Sequence, residues 1–214
     1  MGSVATRDTA DSEFPDAGYR THRVIRIERR ERPQAAAMLA QAFREDALSR
    51  WIYDDHASRL RWVEADFRLR LAQHGPDRLS FATDDYAGAC VWAAPGHWKG
   101  HTRGQLRAIP AMWRVMLNQE RIGAVQRELD RRHPGIPHLY LALLGVDARR
   151  RREGIGGAVL APALVQADER GLPAYVEAGS EEAAAFYARL GFELRGEVRL
   201  QSAPVVYLMW REPA

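Results

Sequence analysis

The sequence predicts a single α/β domain of three layers, in which helices cover both faces of a β-sheet. Apolar segments of strand length alternate along the chain with segments whose apolar residues recur at helical spacing. The chain has 214 residues, 46% of them hydrophobic, and this length suits one core better than two. The domain is expected to span 22–214, and the polar, aperiodic residues 1–21 are interpreted as a flexible leader.

Each element is predicted from periodicity and from the residues that break it. In chain order, the first half should contain a strand (22–29), a helix from Pro33 to about Arg44, a helical region (45–72) interrupted at 53–56, a break at 75–77 and two strands (79–83 and 87–94). The second half should contain a helical insert (about 102–132), a stop at 134–137, a central strand (139–146), a glycine-rich helix, a strand (174–178), a helix (181–190) and two strands (192–200 and 205–210).

Composition excludes several classes of protein. The 31 basic residues are interspersed with 28 acidic ones, and only 149–152 forms a basic run, so no nucleic-acid partner is predicted. No apolar run is long enough for a membrane span, and no signal peptide is evident, so we expect a cytoplasmic protein without a membrane partner. The single cysteine, Cys90, rules out an internal disulfide, and no metal site is predicted.

The stretch from Leu139 to Leu160 has the features of a phosphate-binding site. An apolar strand is followed by a short loop with four consecutive arginines, and then by Gly154, Gly156 and Gly157 at the start of a helix. The first turn of a helix has backbone N–H groups without intrahelical partners, and glycine lets an anion approach them closely. Neither a dinucleotide fingerprint nor a P-loop fits, because Val159 replaces a required glycine and no Gly-Lys-Ser/Thr is present.

Two motifs in this order resemble one enzyme superfamily. Val146-x4-Arg151-Arg152-x-Gly154-x-Gly156-Gly157 closely resembles the acetyl-CoA motif of the GCN5-related N-acetyltransferase (GNAT) superfamily. About thirty residues later, 185–192 (AFYARLGF) resembles the superfamily's later helix. Leu160-x-Pro162 and 171–174 (GLPA) are most similar to the puromycin N-acetyltransferase-like members. Two departures are Ala183, where the superfamily often has asparagine, and Pro162, which should kink the helix.

The resemblance implies a fold and a co-substrate. The expected fold is a mixed, mostly antiparallel sheet of six to seven strands with a splayed central strand. The co-substrate would be acetyl-CoA, held by the strand end and the helix start: Leu144, Gly145, Val146, Arg151, Arg152, Glu153, Gly154, Ile155, Gly156, Gly157 and Tyr187. Arg149 and Arg150 are interpreted as solvated.

The resemblance also implies direct attack of an amine on the thioester. Tyr187 corresponds to the tyrosine that protonates the departing thiolate, because a phenol can supply a proton within hydrogen-bond reach. For the base, His138 and Glu177 are alternatives, and water is a third.

The acceptor is expected to be a small molecule with a primary amine, such as an aminonucleoside or another antibiotic, which would make this an antibiotic-resistance enzyme. Trp51, Tyr53, Asp54 and Trp92 are the candidate contacts, since acids and aromatics suit a cationic, ring-containing amine. A protein or peptide N-acetyltransferase and a non-catalytic CoA-binding module are the alternatives. The protein is expected to be a monomer or a homodimer.

Overall fold

A computed structural model describes residues 22–100 and 119–214. Its strands are β1 Val24–Arg26, β2 Phe81–Thr83, β3 Gly88–Ala93, β4 Leu139–Val146, β5 Ala174–Ala178, β6 Glu193–Val198 and β7 Val206–Arg211. The helices in this part of the chain are α1 Arg32–Phe43, α2 Ala47–Ile52, α3 His56–His74, α4 Gln119–Arg132, α5 Ile155–Glu169 and α6 Glu181–Ala188. The predicted leader 1–21 and the first part of the predicted insert, 102–118, lie outside the described residues.

The seven strands form one open sheet in the order β1-β2-β3-β4-β5-β7-β6. Of its neighbouring pairs, β4 and β5 run parallel, and the others are antiparallel. This arrangement confirms the expected mixed, mostly antiparallel sheet.

Helices cover both faces of the sheet. Side chains of a strand alternate between the two faces, so each face carries apolar residues that a helix can bury. On β3, Cys90 and Trp92 pack into a cluster with α5 and α6, and we call this side the α5 face. Ala89 and Val91 point the other way, toward α1 and α3. On that opposite side a further cluster joins Tyr140 and Tyr175 to residues of α4, and we call this side the α4 face. The predicted three-layer architecture is confirmed.

Three helices begin at side-chain caps that explain the breaks between them. The Asp46 carboxylate accepts a hydrogen bond from the Ser49 amide at 2.9 Å and starts α2. Asp55 caps α3 in the same way through the Ala57 amide, so the predicted interruption at 53–56 is the junction of two helices. The Ser180 hydroxyl accepts from the Ala183 amide at 3.2 Å and starts α6.

The strands β4 and β5 separate in the middle of the sheet. They pair only where Leu139–Leu141 lie beside Ala174–Val176. At this point β4 contains a bulge, because Val91 lies opposite Leu143 while the next residue, Trp92, lies opposite Leu141. The extra residue, Ala142, bends the strand away. The splayed central strand is therefore confirmed, and it opens a gap between the ends of β4 and β5.

Candidate functional site

The far end of β4 offers backbone groups to this gap. The Asp147 amide donates to the Ala87 carbonyl at 2.8 Å, on the side of β3. Backbone groups of a strand alternate in direction, so Leu144 and Val146 direct their N–H and C=O groups to the other side. On that side β5 has already diverged, and an extended ligand can occupy its place.

The start of α5 lies next to the gap and forms an anion-binding turn. The first helical hydrogen bond runs from the Ala158 amide to the Gly154 carbonyl at 3.0 Å. The amides of Ile155, Gly156 and Gly157 precede it and have no intrahelical acceptor. Gly154 has φ 83°, a left-handed conformation that glycine adopts without strain. These amides and the positive end of the helix dipole favour a phosphate group here.

Arg150 anchors the loop before this turn. Its guanidinium donates to Glu153 Oε2 at 3.1 and 3.0 Å and also to the carboxylate of Asp85, in the turn between β2 and β3. The ring of His22 lies 3.0 Å from the Glu153 carbonyl oxygen. The interpretation of Arg150 as a merely solvated residue is wrong, since it joins two segments that are distant in sequence.

The other three arginines of the run are differently placed. Arg149 is exposed and pairs with its neighbour Asp147. Arg151 and Arg152 are exposed, and neither makes an ion pair within the described residues. They flank the anion-binding turn and are available to a charged ligand.

Tyr187 lies on the α5 face, at the level of the gap. It is 6% exposed and belongs to the cluster that includes Cys90, with Leu144 packed against it. Cys90 and Leu144 are direct neighbours across β3 and β4. Burial, with a smaller contribution from Cys90, raises the pKa of Tyr187, so the phenol stays protonated at neutral pH.

Cys90 itself is an inert core residue. Burial raises the pKa of its thiol to about 12. The thiol donates a hydrogen bond to the Val159 carbonyl at 3.0 Å. It is therefore not a nucleophile at neutral pH.

On the α4 face, the two base candidates are linked by His133, a residue that no sequence motif singles out. Glu177 Oε2 accepts a hydrogen bond from the Tyr140 hydroxyl at 2.9 Å, and Oε1 lies 3.8 Å from Nδ1 of His133. His133 Nε2 lies 3.1 Å from Nε2 of His138. The sequence contains no signal for the contact between His133 and Glu177, because His133 follows a helix and Glu177 lies on a strand 44 residues later.

Two of the four predicted acceptor contacts, Trp51 and Asp54, line an open cavity. Trp51 borders a cavity of about 410 Å³ together with Ala47, Arg50, Asp54 and Arg59. Trp51 also packs against the α4-face cluster that contains Tyr140. Asp54 does border the cavity, but its carboxylate pairs with Arg121 at 2.9 Å.

The two other predicted contacts lie in the core. Tyr53 is 6% exposed and packs in the cluster of α1 and α3. Trp92 is fully buried on the α5 face, and its indole N–H has no partner within the described residues. Neither side chain borders the cavity beside Trp51.

In the described part of the chain, no helix has the length and apolar character needed to cross a membrane. Nor do any three His, Cys, Asp or Glu side chains in these residues form a group suited to a metal ion.

Residues 110–194 match the family model described as an acetyltransferase (GNAT) domain. The fold is similar to that of a solved protein from Corynebacterium glutamicum described as histone acetyltransferase HPA2 and related acetyltransferase. The two share 23% sequence identity, the match covers 91% of this chain and 98% of that chain, and the TM-score is 0.65. It is also similar to arylalkylamine N-acetyltransferase 2 from Aedes aegypti (13% identity; 91% and 100% covered; TM-score 0.59) and to an agmatine N-acetyltransferase (19%; 88% and 98%; 0.55). At these identities the solved structures establish a shared fold.

Proposed function

The chain carries an acetyltransferase domain of the GNAT type and is an acetyl-CoA-dependent N-acetyltransferase, and from this premise we propose that its acceptor is a primary amine on a small cationic molecule. The observation that carries this proposal is the gap between β4 and β5. On one side of the sheet the gap adjoins Tyr187 and the start of α5, and on the other it adjoins the Glu177 carboxylate and aromatic side chains.

Acetyl-CoA would bind along the gap on the α5 face. The amides of 152–157 would hold its pyrophosphate at the helix start, with Arg151 and Arg152 adding charge from the loop. Leu144 and Val146 would bond the pantetheine arm through their free backbone groups, in place of the diverged strand β5. The thioester would then lie beside the Tyr187 hydroxyl.

The reaction would be a direct transfer. The neutral amine attacks the thioester carbon, and a backbone N–H near Leu144 stabilises the oxyanion that forms. As the C–S bond breaks, Tyr187 gives its proton to the CoA sulfur, and the proton that the acylated nitrogen loses restores the phenol. Its raised pKa keeps the phenol in the donor form at neutral pH.

The acceptor side favours a small cation with an apolar or aromatic body. Glu177 is 12% exposed, and its carboxylate makes no ion pair with an arginine or lysine within the described residues, so it can attract an ammonium group. The cavity of about 410 Å³ beside Trp51 has the size of a small-molecule site, and the Trp51 ring already holds a cation, the Arg121 guanidinium, 5.6 Å from its centroid, as it could hold part of a cationic acceptor. An aminonucleoside antibiotic such as puromycin has this chemistry, as do the arylalkylamines and agmatine of the similar folds.

A thiol-release screen with acetyl-CoA tests this proposal, using puromycin, tryptamine, agmatine and a short peptide with a free N-terminus as acceptors. Cys90 is fully buried, so the protein itself should give little background with a thiol reagent. We expect turnover with at least one of the small amines and a lower kcat/KM with the peptide.

Three results would contradict the proposal in different ways. Preference for the peptide would favour a protein N-acetyltransferase. Binding of acetyl-CoA by calorimetry, without turnover of any amine, would favour a CoA-binding module, and no binding at millimolar acetyl-CoA would remove the cofactor assignment.

A further inference from the structure

A buried aromatic cluster surrounds the two histidines on the α4 face. The ring of His133 stacks on Trp98 with centroids 3.8 Å apart, and Tyr140 and Tyr175 meet its edge at 5.3 and 5.1 Å. The His133 side chain is only 3% exposed, and His138 as a residue is 5% exposed. Packing on several sides therefore fixes the orientation of both imidazoles.

The hydrogen bonds of the cluster determine which nitrogens carry protons. His138 Nδ1 lies 2.7 Å from the Ile136 carbonyl, and because a carbonyl only accepts, Nδ1 must carry the hydrogen. Burial lowers the pKa of His138, so this imidazole is neutral and its Nε2 is an acceptor. His133 Nε2, 3.1 Å away, must then be the donor.

The remaining nitrogen of His133 is consequently unprotonated in the neutral ring. This Nδ1 lies 3.8 Å from Glu177 Oε1. The other carboxylate oxygen is already occupied, because Tyr140 donates to it at 2.9 Å and burial raises the pKa of Tyr140, which keeps its hydroxyl protonated. The Nδ1 lone pair of His133 and Oε1 of Glu177 thus face each other. A proton transferred to Nδ1 would turn this contact into a hydrogen-bonded pair.

We infer that His133 receives the proton that Glu177 takes from the acceptor ammonium, and that His138 is a positioning residue that fixes the tautomer of His133. This inference rests on the proposed function, because it needs an acceptor amine beside Glu177. The sequence left His138 and Glu177 as alternative bases, and this inference gives each a separate role. Glu177 contacts the amine, and His138 acts through His133.

The proton balance is complete without another reactant. An N–H bond of the ammonium breaks as an O–H bond forms on Glu177, and that O–H bond breaks as Nδ1–H forms on His133. Glu177 is again a carboxylate, now paired with an imidazolium whose two N–H groups both have acceptors. After the acetylated product leaves, the proton returns through Glu177 to water in the acceptor site.

The groups that face His133 are compatible with a transient imidazolium. The titratable and charged side chains come from each packed element: Glu177 and Tyr175 on β5, His138 and Tyr140 on β4, Lys99 over the Trp98 ring at 4.6 Å with its ion-pair partner Asp130 on α4, and the Arg70–Asp66 pair of α3 near Tyr140. Of these, Glu177 is the carboxylate within 4.0 Å of the His133 ring.

The tautomers can be measured without any acceptor. Two-bond ¹H–¹⁵N spectra of the histidine side chains in the wild-type protein at about pH 8 should show His138 protonated on Nδ1 and His133 protonated on Nε2. A His138 ring with its proton on Nε2 would overturn the inference, because His133 would then have no reason to present an unprotonated Nδ1 to Glu177.

The transfer itself is tested with His133→Phe, which keeps the stacked ring and removes both nitrogens. We expect kcat/KM for the small amine found in the screen to fall about 10²-fold at pH 7. The loss should shrink as the pH approaches the pKa of the acceptor amine, where the amine arrives neutral. The exposed His56→Gln variant is the control and should retain wild-type rates at each pH.

A structural role and a failure of the proposed function give different results. A loss that is equal at all pH values, or no loss, would overturn the relay while the acetyltransferase activity stands. Unchanged calorimetric binding of acetyl-CoA to His133→Phe would show that the variant is folded. If wild-type protein binds acetyl-CoA but turns over no amine, the proposed function fails instead, and the spectra still decide the tautomers.

Discussion

At the scale of single residues, the proposed mechanism takes the proton for the departing CoA sulfur from one group, the Tyr187 hydroxyl. Tyr187→Phe removes that hydroxyl and keeps the ring contacts with Phe186 and Phe192, at 5.2 and 5.6 Å. We expect kcat for the amine identified in the screen to fall about 10²-fold or more, because the thiolate must leave without a proton donor. Steady-state thiol release measures this loss.

Tyr207→Phe is the matched control, since Tyr207 packs against the same cluster and has no proposed role. Its kcat should stay near that of the wild type. Calorimetric binding of acetyl-CoA should change little in either variant. Unchanged turnover in Tyr187→Phe would show that Tyr187 is not the proton donor.

Individual residues also mark where the sequence could not predict the site. Tyr53 and Trp92 are aromatic residues of the kind that bind amines, yet burial of apolar area gives such residues the same favourable position in a core. His133 had no motif around it, and its role depends on a contact with Glu177 that only the tertiary fold creates. By contrast, the glycine-rich helix start was predictable from a local pattern, and Gly154 has the left-handed conformation that favours glycine.

At the scale of elements, the loop before α5 is held by side chains from outside it. In Arg150→Gln, the ties to Asp85 and Glu153 are lost, so the anion-binding turn becomes less ordered before it binds. We expect the Kd for acetyl-CoA to rise about 3- to 10-fold, with a smaller change in kcat, because the pyrophosphate contact is remote from the reacting bond. Calorimetry and steady-state kinetics measure the two effects.

Arg149→Gln is the control for charge, because Arg149 belongs to the same basic run but pairs only with its neighbour Asp147 among the described residues. If both variants weaken acetyl-CoA binding equally, the effect is one of net positive charge, and Arg150 is not an anchor.

The contact between β3 and the start of α5 is equally specific. A Cβ added at Gly88 would lie 2.3 Å from Cγ2 of Ile155, the first residue of α5. Gly88→Ala should therefore displace the helix start, destabilise the fold by about 1–3 kcal/mol and weaken acetyl-CoA binding. Thermal unfolding and calorimetry measure these changes.

Gly135→Ala is the matched control, because a Cβ there has no neighbour within 4 Å. It should leave both Tm and acetyl-CoA affinity near their wild-type values. A Gly88→Ala protein with wild-type affinity would show that the position of Ile155 does not govern the anion-binding turn.

At the scale of the whole molecule, the sequence predicted which segments are strands better than how they associate. Local periodicity marks β5, β6 and β7, but the position of β7 between the other two depends on contacts far apart in the chain. The separation of β4 from β5 follows from a bulge at Ala142, an alanine within an apolar run, and no local pattern indicates it. The splay was predicted only through the resemblance to a known superfamily, which carries tertiary information that periodicity lacks.

The last strand is tied to the domain by an ion pair that makes stability depend on pH. Asp168, at the end of α5, accepts from Arg211 of β7 at 2.7 and 2.8 Å, and this bond lowers the pKa of Asp168. A lowered carboxyl pKa stabilises the fold above about pH 4, and the contribution is lost as the pH falls through the folded-state pKa. Urea unfolding should therefore show Asp168→Asn to be about 1–2 kcal/mol less stable than wild type at pH 7, with a smaller difference near pH 3. The exposed neighbour variant Glu169→Gln should unfold like wild type, and equal stability of Asp168→Asn at pH 7 would disprove the role of the pair.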